Sequence, residues 1–168
     1  SLNATYFNAR GMLKIKNRSS TPESLYDFNK AIEIDSNFAE AYMNRGTQKC
    51  KMKLYNDALK DYEKALELLF ISDIDEGRKY FGIGLCYTYL GNYQQAEKYY
   101  LIAIEKGNVV ALHNLGLLYT NQSRKDEAEK YFLLAIEKGH DGVFNNLGIL
   151  YDIQGRTEEA EKYFLLAI

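Results

Sequence analysis

The sequence predicts an all-α chain, a solenoid of five antiparallel helix pairs, and three observations predict it. The first is repetition. AEKYYLIAIEKG at 96–107 returns as AEKYFLLAIEKG at 128–139 and as AEKYFLLAI at 160–168, at intervals of 32 residues. The second is a column of glycines inside apolar-periodic stretches: Gly11, Gly46, Gly84, Gly116 and Gly148, spaced 35, 38, 32 and 32 residues apart. The third is the spacing of the apolar positions, three and four residues, which gathers them on one face of a helix. A stretch written repeatedly at a fixed period signals a repeated structural task, not a catalytic motif needed once.

Each unit reads as two helices, and the units span about 4–38, 39–76, 77–108, 109–140 and 141–168. In the first, YFNARGMLKI carries Gly11, and the second helix carries Ser24, Phe28 and Ala31. Thr21-Pro22 opens that helix, Thr as cap and Pro at the first helical position. The second unit has AYMNRGTQKC and then Ala58, Tyr62 and Ala65. The third has Tyr80, Ile83, Gly84 and Tyr87, a turn at Gly91-Asn92, then Ala96, Tyr100 and Ala103. The fourth has Leu112, Leu115, Gly116 and Tyr119, a turn at Asn121–Ser123, then Ala128, Phe132 and Ala135. The fifth has Phe144, Leu147, Gly148 and Tyr151, a turn at Gly155, then Ala160, Phe164 and Ala167. Gly107 and Gly139 follow Glu-Lys and fit helix C-termini. Between the second and third units, LFISDIDEG at 69–77 is longer than its counterparts. It is expected to extend a helix or enlarge the turn, and to bend the array.

Glycine and alanine let two helix backbones approach, and the aromatics fill the wedge beside them. A glycine inside a helix costs about 1 kcal/mol against alanine. Five in one column therefore imply a packing need that outweighs the cost. These columns, recurring together from Ala4 to Ile168, resemble the tetratricopeptide repeat family. The resemblance implies a right-handed superhelix. The chain departs from the family in its last periods, 32 residues where about 34 is usual, and in lacking the proline that commonly ends a unit. The AIEKGNVVALHNLG junction resembles the related Sel-like repeats, a feature of the last three units. No polar capping helix follows the fifth unit, so the chain is expected to be a piece of a longer array, or to self-associate through its C-terminal helix.

Composition narrows the chemistry. A net charge of −2 and a pI near 5.8 give no general attraction to nucleic acid or to an anionic membrane surface. No apolar run reaches the roughly 18 residues of a membrane span. Cys50 and Cys86 lie in helical surroundings and read as free, half-buried thiols of a reducing compartment in preference to a disulfide, and the expected location is the cytoplasm. His113 and His140 have no Cys or Asp at ligand spacing and read as solvated or groove-lining side chains. Gly-Ile-Gly at 82–84 sits within a helix and is no phosphate loop. Asp73 and Asp75 lack the later residues of a calcium loop. Asn3, Asn17 and Asn121 begin glycosylation acceptor triplets that matter only on a secreted chain. No Ser/His/Asp or Cys/His set is evident. The chain is expected to be no enzyme and to carry no metal or cofactor.

What remains is surface. In stacked helix pairs the first helices line a concave groove, and the residues two before each glycine face it: Ala9, Asn44, Gly82, Asn114 and Asn146. An asparagine amide is both donor and acceptor and can pair with any peptide backbone. In peptide-binding members of the family, asparagines in this column hold an extended peptide. The resemblance implies that role for Asn44, Asn114 and Asn146. Met43, Phe81, Leu85, His113, Leu117, Asn145 and Ile149 flank them and would set selectivity. The two-carboxylate clamp of family members that grip chaperone tails is not matched: Arg78 fits one of its positions, but Gly82 fails the next. The expected function is a protein-interaction scaffold that binds an extended segment of a partner. The alternatives are a structural module stacking through its apolar terminal helices, and a targeting array attached to a larger enzyme.

Overall fold

The glycine column lies on the first helix of each pair and the aromatic column on the second. The computed structural model describes residues 1–16, 21–68 and 76–168. Among them ten α-helices succeed one another and no strand occurs. They are α1 (Leu2–Lys16), α2 (Thr21–Ile34), α3 (Ala39–Lys51), α4 (Tyr55–Glu67), α5 (Glu76–Tyr89), α6 (Tyr93–Glu105), α7 (Val109–Asn121), α8 (Lys125–Glu137), α9 (Phe144–Ile153) and α10 (Thr157–Leu166). A short 3-10 turn, Asp141–Val143, leads into α9. Consecutive helices pair into hairpins, and each hairpin stacks on the next through its second helix. The first helices also lie side by side, α1 on α3, α3 on α5 and α5 on α7. No helix among the described residues is long and apolar enough to cross a membrane. The expectations for the long connection at 69–75 and for the Asn17 triplet fall outside the described residues, and so does the capping side chain of Thr21.

The glycine column is a seat for aromatic rings. A methyl placed on Gly11 would stand 2.7 Å from the Phe28 ring. On Gly84 it would meet Tyr100 at 2.7 Å, on Gly116 Phe132 at 2.5 Å, and on Gly148 Phe164 at 2.7 Å. Phe28 and Phe132 are fully buried, each between the small residues of its own helix. Each ring thus fills the space that a side chain on the facing helix would need. Gly46 is looser, with Tyr62 and the Ala58 carbonyl both 3.3 Å from such a methyl. Where the ring is tyrosine, its hydroxyl needs a partner. Thr47 Oγ1 lies 3.1 Å from the Tyr62 hydroxyl and Thr88 Oγ1 2.9 Å from that of Tyr100. Burial pushes the Tyr100 hydroxyl up to about 12.

The turns inside the last four hairpins share one left-handed residue. Gly91 and Gly155 occupy it at φ 75° and 74°. Lys53 and Ser123 adopt the same conformation at φ 62° and 61°, although neither is the glycine that such a turn favours. The equivalence of Lys53 was therefore invisible to a search for turn residues. Asn92 and Asn108 cap α6 and α7, accepting hydrogen bonds from the Gln95 and Ala111 amides at 3.3 and 3.0 Å.

Two kinds of hairpin make up the array. In the first two, a buried aspartate stands one residue before the column aromatic and pairs with two cations of the facing helix. Asp27 holds Arg10 at 2.5 Å and Lys14 at 2.9 Å; Asp61 holds Arg45 at 2.6 Å and Lys49 at 2.7 Å. In the last three the same positions are apolar and aromatic. Tyr87 packs on Tyr99 at 5.6 Å between ring centres, Tyr119 on Tyr131 at 5.5 Å, and Tyr151 on Tyr163 at 5.5 Å. A latch then joins the later hairpins. Glu97 accepts a hydrogen bond from the Tyr119 hydroxyl at 2.9 Å and pairs with Arg124 at 2.9 Å. Thirty-two residues on, Glu129 repeats this with the Tyr151 hydroxyl at 2.9 Å and with Arg156 at 2.8 Å. Each arginine also lies over its tyrosine ring, 4.1 Å from the centre.

Candidate functional site

The face formed by the first helices contains a cavity of about 470 Å³. Thr47, Cys50 and Lys51 of α3 form one wall. Arg78, Phe81, Leu85 and Tyr89 of α5 form the other, and Val110 closes one end from α7. Tyr62 lies at its floor beside Gly82. The reason is steric: a methyl on Gly82 would stand 2.5 Å from the Tyr62 ring of the preceding hairpin. Gly82 interrupts the asparagine column because an aromatic side chain occupies that place from below. The lining is mostly apolar, and the exposed Lys51 and Arg78 add positive charge at its margin. This combination of apolar walls and a few polar groups is the usual make-up of a ligand pocket.

The other residues singled out in the sequence do not form one surface. Asn44 is buried, not exposed, and its Nδ2 donates to Asn8 Oδ1 at 3.0 Å across α1 and α3. Met43 belongs to the core. Both are corrections to the groove expected from the sequence. Their helix lies against α1 and α4, and the asparagine pair satisfies two amides that burial would otherwise leave unbonded. Asn114 turns back on its own helix, donating to the Val110 carbonyl at 3.0 Å. Leu117 is half-buried against the core of the later repeats. Asn145 and Ile149 are exposed. Of the set, Arg78, Phe81 and Leu85 are the members that line the cavity.

His113 and Asn146 meet in a separate cluster, with His140 as a third member. Asn146 Nδ2 lies 2.6 Å from His113 Nε2, and His113 Nδ1 lies 3.3 Å from His140 Nε2. One neutral tautomer satisfies both contacts: the amide donates to Nε2, so the proton sits on Nδ1 and is donated to His140. Burial, and then the neighbouring His140, lower the His113 pKa and favour that neutral form. The two histidines are 27 residues apart and no short motif joins them; the stacking of successive helix pairs brings them together. No group of three or more His, Cys, Asp or Glu that could hold a metal ion occurs among the described residues.

The two cysteines, read from the sequence as free thiols in preference to a disulfide, stand side by side. Cys50 and Cys86 bring their sulfurs to 3.2 Å, and both are thiols here. Cys50 is half-buried, as expected, but Cys86 is fully buried. The 36-residue separation falls short of the 38 residues between Gly46 and Gly84, so the two cysteines stand in different columns and no repeat alignment pairs them.

Comparison with known proteins agrees with this architecture. Residues 37–106 match a family model described as tetratricopeptide repeat, and a second model of that description matches residues 109–139 and 142–168. DnaJ homolog subfamily C member 7 homolog from Dictyostelium discoideum is 40% identical over 63 residues. That match covers 38% of this chain and 11% of the relative, so the chain spans about a tenth of that protein's length. The crystal structure of MamA superposes with a TM-score of 0.74 at 24% identity, covering 98% of this chain and 90% of that one. YrrB, described as a TPR protein with an unusual peptide-binding site, superposes with a TM-score of 0.67 at 25% identity, covering 96% and 83%.

Proposed function

This chain belongs to the tetratricopeptide repeat family, and on that premise we propose that it is a protein-interaction scaffold whose ligand is an extended segment of a partner. The observation that carries this reading is the cavity between α3, α5 and α7. An apolar side chain of the segment enters between Phe81, Leu85 and Val110. An acidic group beside it meets Lys51 and Arg78. The segment then runs along the first helices toward Asn114, Asn146, Asn145 and Ile149. The described peptide-binding site of YrrB supports the assignment by similarity. Asn44 takes no part, because its amide is already bonded in the core.

The test begins with selection of binders from a displayed library of random heptapeptides, followed by fluorescence anisotropy on the selected peptides. They are expected to carry an aromatic or aliphatic residue next to Asp or Glu. Phe81→Ala and Leu85→Arg are each expected to weaken binding by about 10- to 100-fold, the loss typical of a buried anchor. Leu133→Arg, on the second-helix face, should leave it unchanged. Binding indifferent to both groove variants, in proteins whose circular dichroism is native, overturns the reading.

One observation favours a second surface. The latch glutamate recurs at Glu161, which stands exposed on α10 at the position of Glu97 and Glu129. Leu165 and Leu166 beside it are also exposed. We infer that this face accepts one more helix pair of the same kind, with tyrosine and arginine facing Glu161. A chain extended after Ile168 by a copy of residues 137–168 continues the 32-residue period. It is expected to melt several degrees higher than the unextended chain, and Glu161→Gln should reverse part of the gain. An unchanged melting temperature, with the added residues cleaved by dilute protease, would refute it.

A further inference from the structure

Cys50 and Cys86 lie on neighbouring first helices, α3 and α5, with their sulfurs 3.2 Å apart. A disulfide needs about 2.05 Å. The two sulfurs must therefore close by about an ångström, a displacement within reach of side-chain rotation on two packed helices. The two thiols are not equivalent. Cys50 is half-buried and forms part of the cavity wall, so a small solute in the cavity meets this residue. Cys86 is fully buried behind it and lines no part of the cavity.

We propose that Cys50 and Cys86 are a dithiol–disulfide pair oxidised by hydrogen peroxide or a small organic hydroperoxide, Cys50 reacting first and Cys86 resolving it. The electrostatics are consistent with that order. The hydrogen bond with Cys86, and then one with the Tyr62 hydroxyl, outweigh burial and lower the Cys50 pKa. The same hydrogen bond and burial push Cys86 upward. Lys51 and Arg78 line the same cavity and favour a thiolate there.

The chemistry closes with no other reagent. The Cys50 thiolate attacks one peroxide oxygen; an S–O bond forms, the O–O bond breaks, and the departing hydroxide takes up a proton to become water. The Cys86 sulfur then attacks the Cys50 sulfenic sulfur. An S–S bond forms, the S–O bond breaks, and the second hydroxide leaves with the Cys86 proton as water. Two electrons pass from the thiols to the peroxide, and the products are one disulfide and two waters; with an organic hydroperoxide the first leaving group is the alkoxide, and the products are one disulfide, one alcohol and one water. The disulfide ties the second hairpin to the third through the wall of the cavity.

The experiment uses the reduced chain with a few equivalents of hydrogen peroxide, then catalase, denaturation, alkylation with N-ethylmaleimide and intact-mass measurement. The expected product is lighter by two hydrogens and takes no alkyl group. Dithiothreitol returns it to a species that takes two, and the oxidised form melts several degrees above the reduced one. In Cys86→Ser, Cys50 should stop at the sulfenic acid and be captured by dimedone. In Cys50→Ser, Cys86 should stay unmodified. A wild-type product that gains oxygen, or that still takes two alkyl groups, overturns the pairing. Peroxide consumption by Cys50→Ser as fast as by wild type overturns the order. None of these readouts involves a peptide, so they stand apart from the test of the groove.

Discussion

Gly116→Val lowers the stability of the chain by about 3 kcal/mol, the upper part of the range for overpacking a well-filled site. A methyl alone on Gly116 would stand 2.5 and 2.6 Å from two carbons of the Phe132 ring. That ring is fully buried, and Ala128 and Ala135, also fully buried, flank it on its own helix. It cannot swing out as an exposed side chain would. The two helices must separate or the ring must leave its rotamer. Relief of the helical cost of glycine returns at most about 1 kcal/mol, which is less than the overlap costs. In a chain of this size the melting temperature should fall by about 10 °C, at roughly 2–4 °C for each kcal/mol. Gly46→Ala is the contrasting case. Its nearest neighbours stand 3.3 Å away, so the gain in helix propensity offsets a small adjustment, and stability should change by no more than about 0.5 kcal/mol. Calorimetry on both variants decides the matter. If Gly116→Val also melts like wild type, the glycine column is not a seat for the aromatic column. Adding Phe132→Leu to Gly116→Val should restore part of the loss, a coupling expected only of side chains in contact.

This pair of columns was legible in the sequence because it repeats. Gly116 and Phe132 have counterparts 16 residues apart in each of the last four hairpins and 17 apart in the first, so a packing requirement showed as a period. The partners were legible for the same reason, although the text contains no contact. The site was less so. Phe81, Leu85 and Arg78 were picked out by their place relative to Gly82, and they do surround the cavity. The asparagines next to them were misread in part, since the column position sets which way a side chain leaves the helix and not what it meets. Asn44 leaves α3 toward α1, where Asn8 stands ready to bond it. Asn114 has no such neighbour and returns to its own helix. The difference depends on residue 8, one place off the column. The Cys50–Cys86 and His113–His140 contacts were not legible because each member occurs once, in a different column from its partner. A repeat alignment displays columns, and a contact between columns of successive units appears only when the units are stacked.

The substitution pattern of the hairpins gives the second large effect. Asp61→Ala should destabilise the chain by about 2–4 kcal/mol, somewhat below the cost of breaking a fully buried ion pair. The loss leaves Arg45 and Lys49 facing each other without the carboxylate that both hold, although their side chains, 18% and 21% exposed, keep some access to water. Replacing the whole set should behave oppositely. Arg45→Leu, Lys49→Tyr and Asp61→Tyr together write into the second hairpin what the fourth already has at Leu115, Tyr119 and Tyr131. A buried ionic set exchanged for packed apolar residues is commonly neutral or stabilising, so the triple variant should recover most of what Asp61→Ala loses. Acid titration probes the same design in the first hairpin. Burial alone would raise the Asp27 carboxyl, but the hydrogen bonds from Arg10 and Lys14 outweigh it and hold the pKa below its ordinary value. A depressed folded pKa means that the contribution is complete above the unfolded value, about 3.9, and fades as pH falls through the folded one. Melting temperatures at pH 6, 4 and 3 should drop most steeply in the last interval. Asp27→Asn should flatten that drop while starting from a lower melting temperature. A triple variant no more stable than Asp61→Ala would mean that the ionic hairpins are tuned to their own backbone spacing, and that the two kinds of hairpin in this array are not interchangeable.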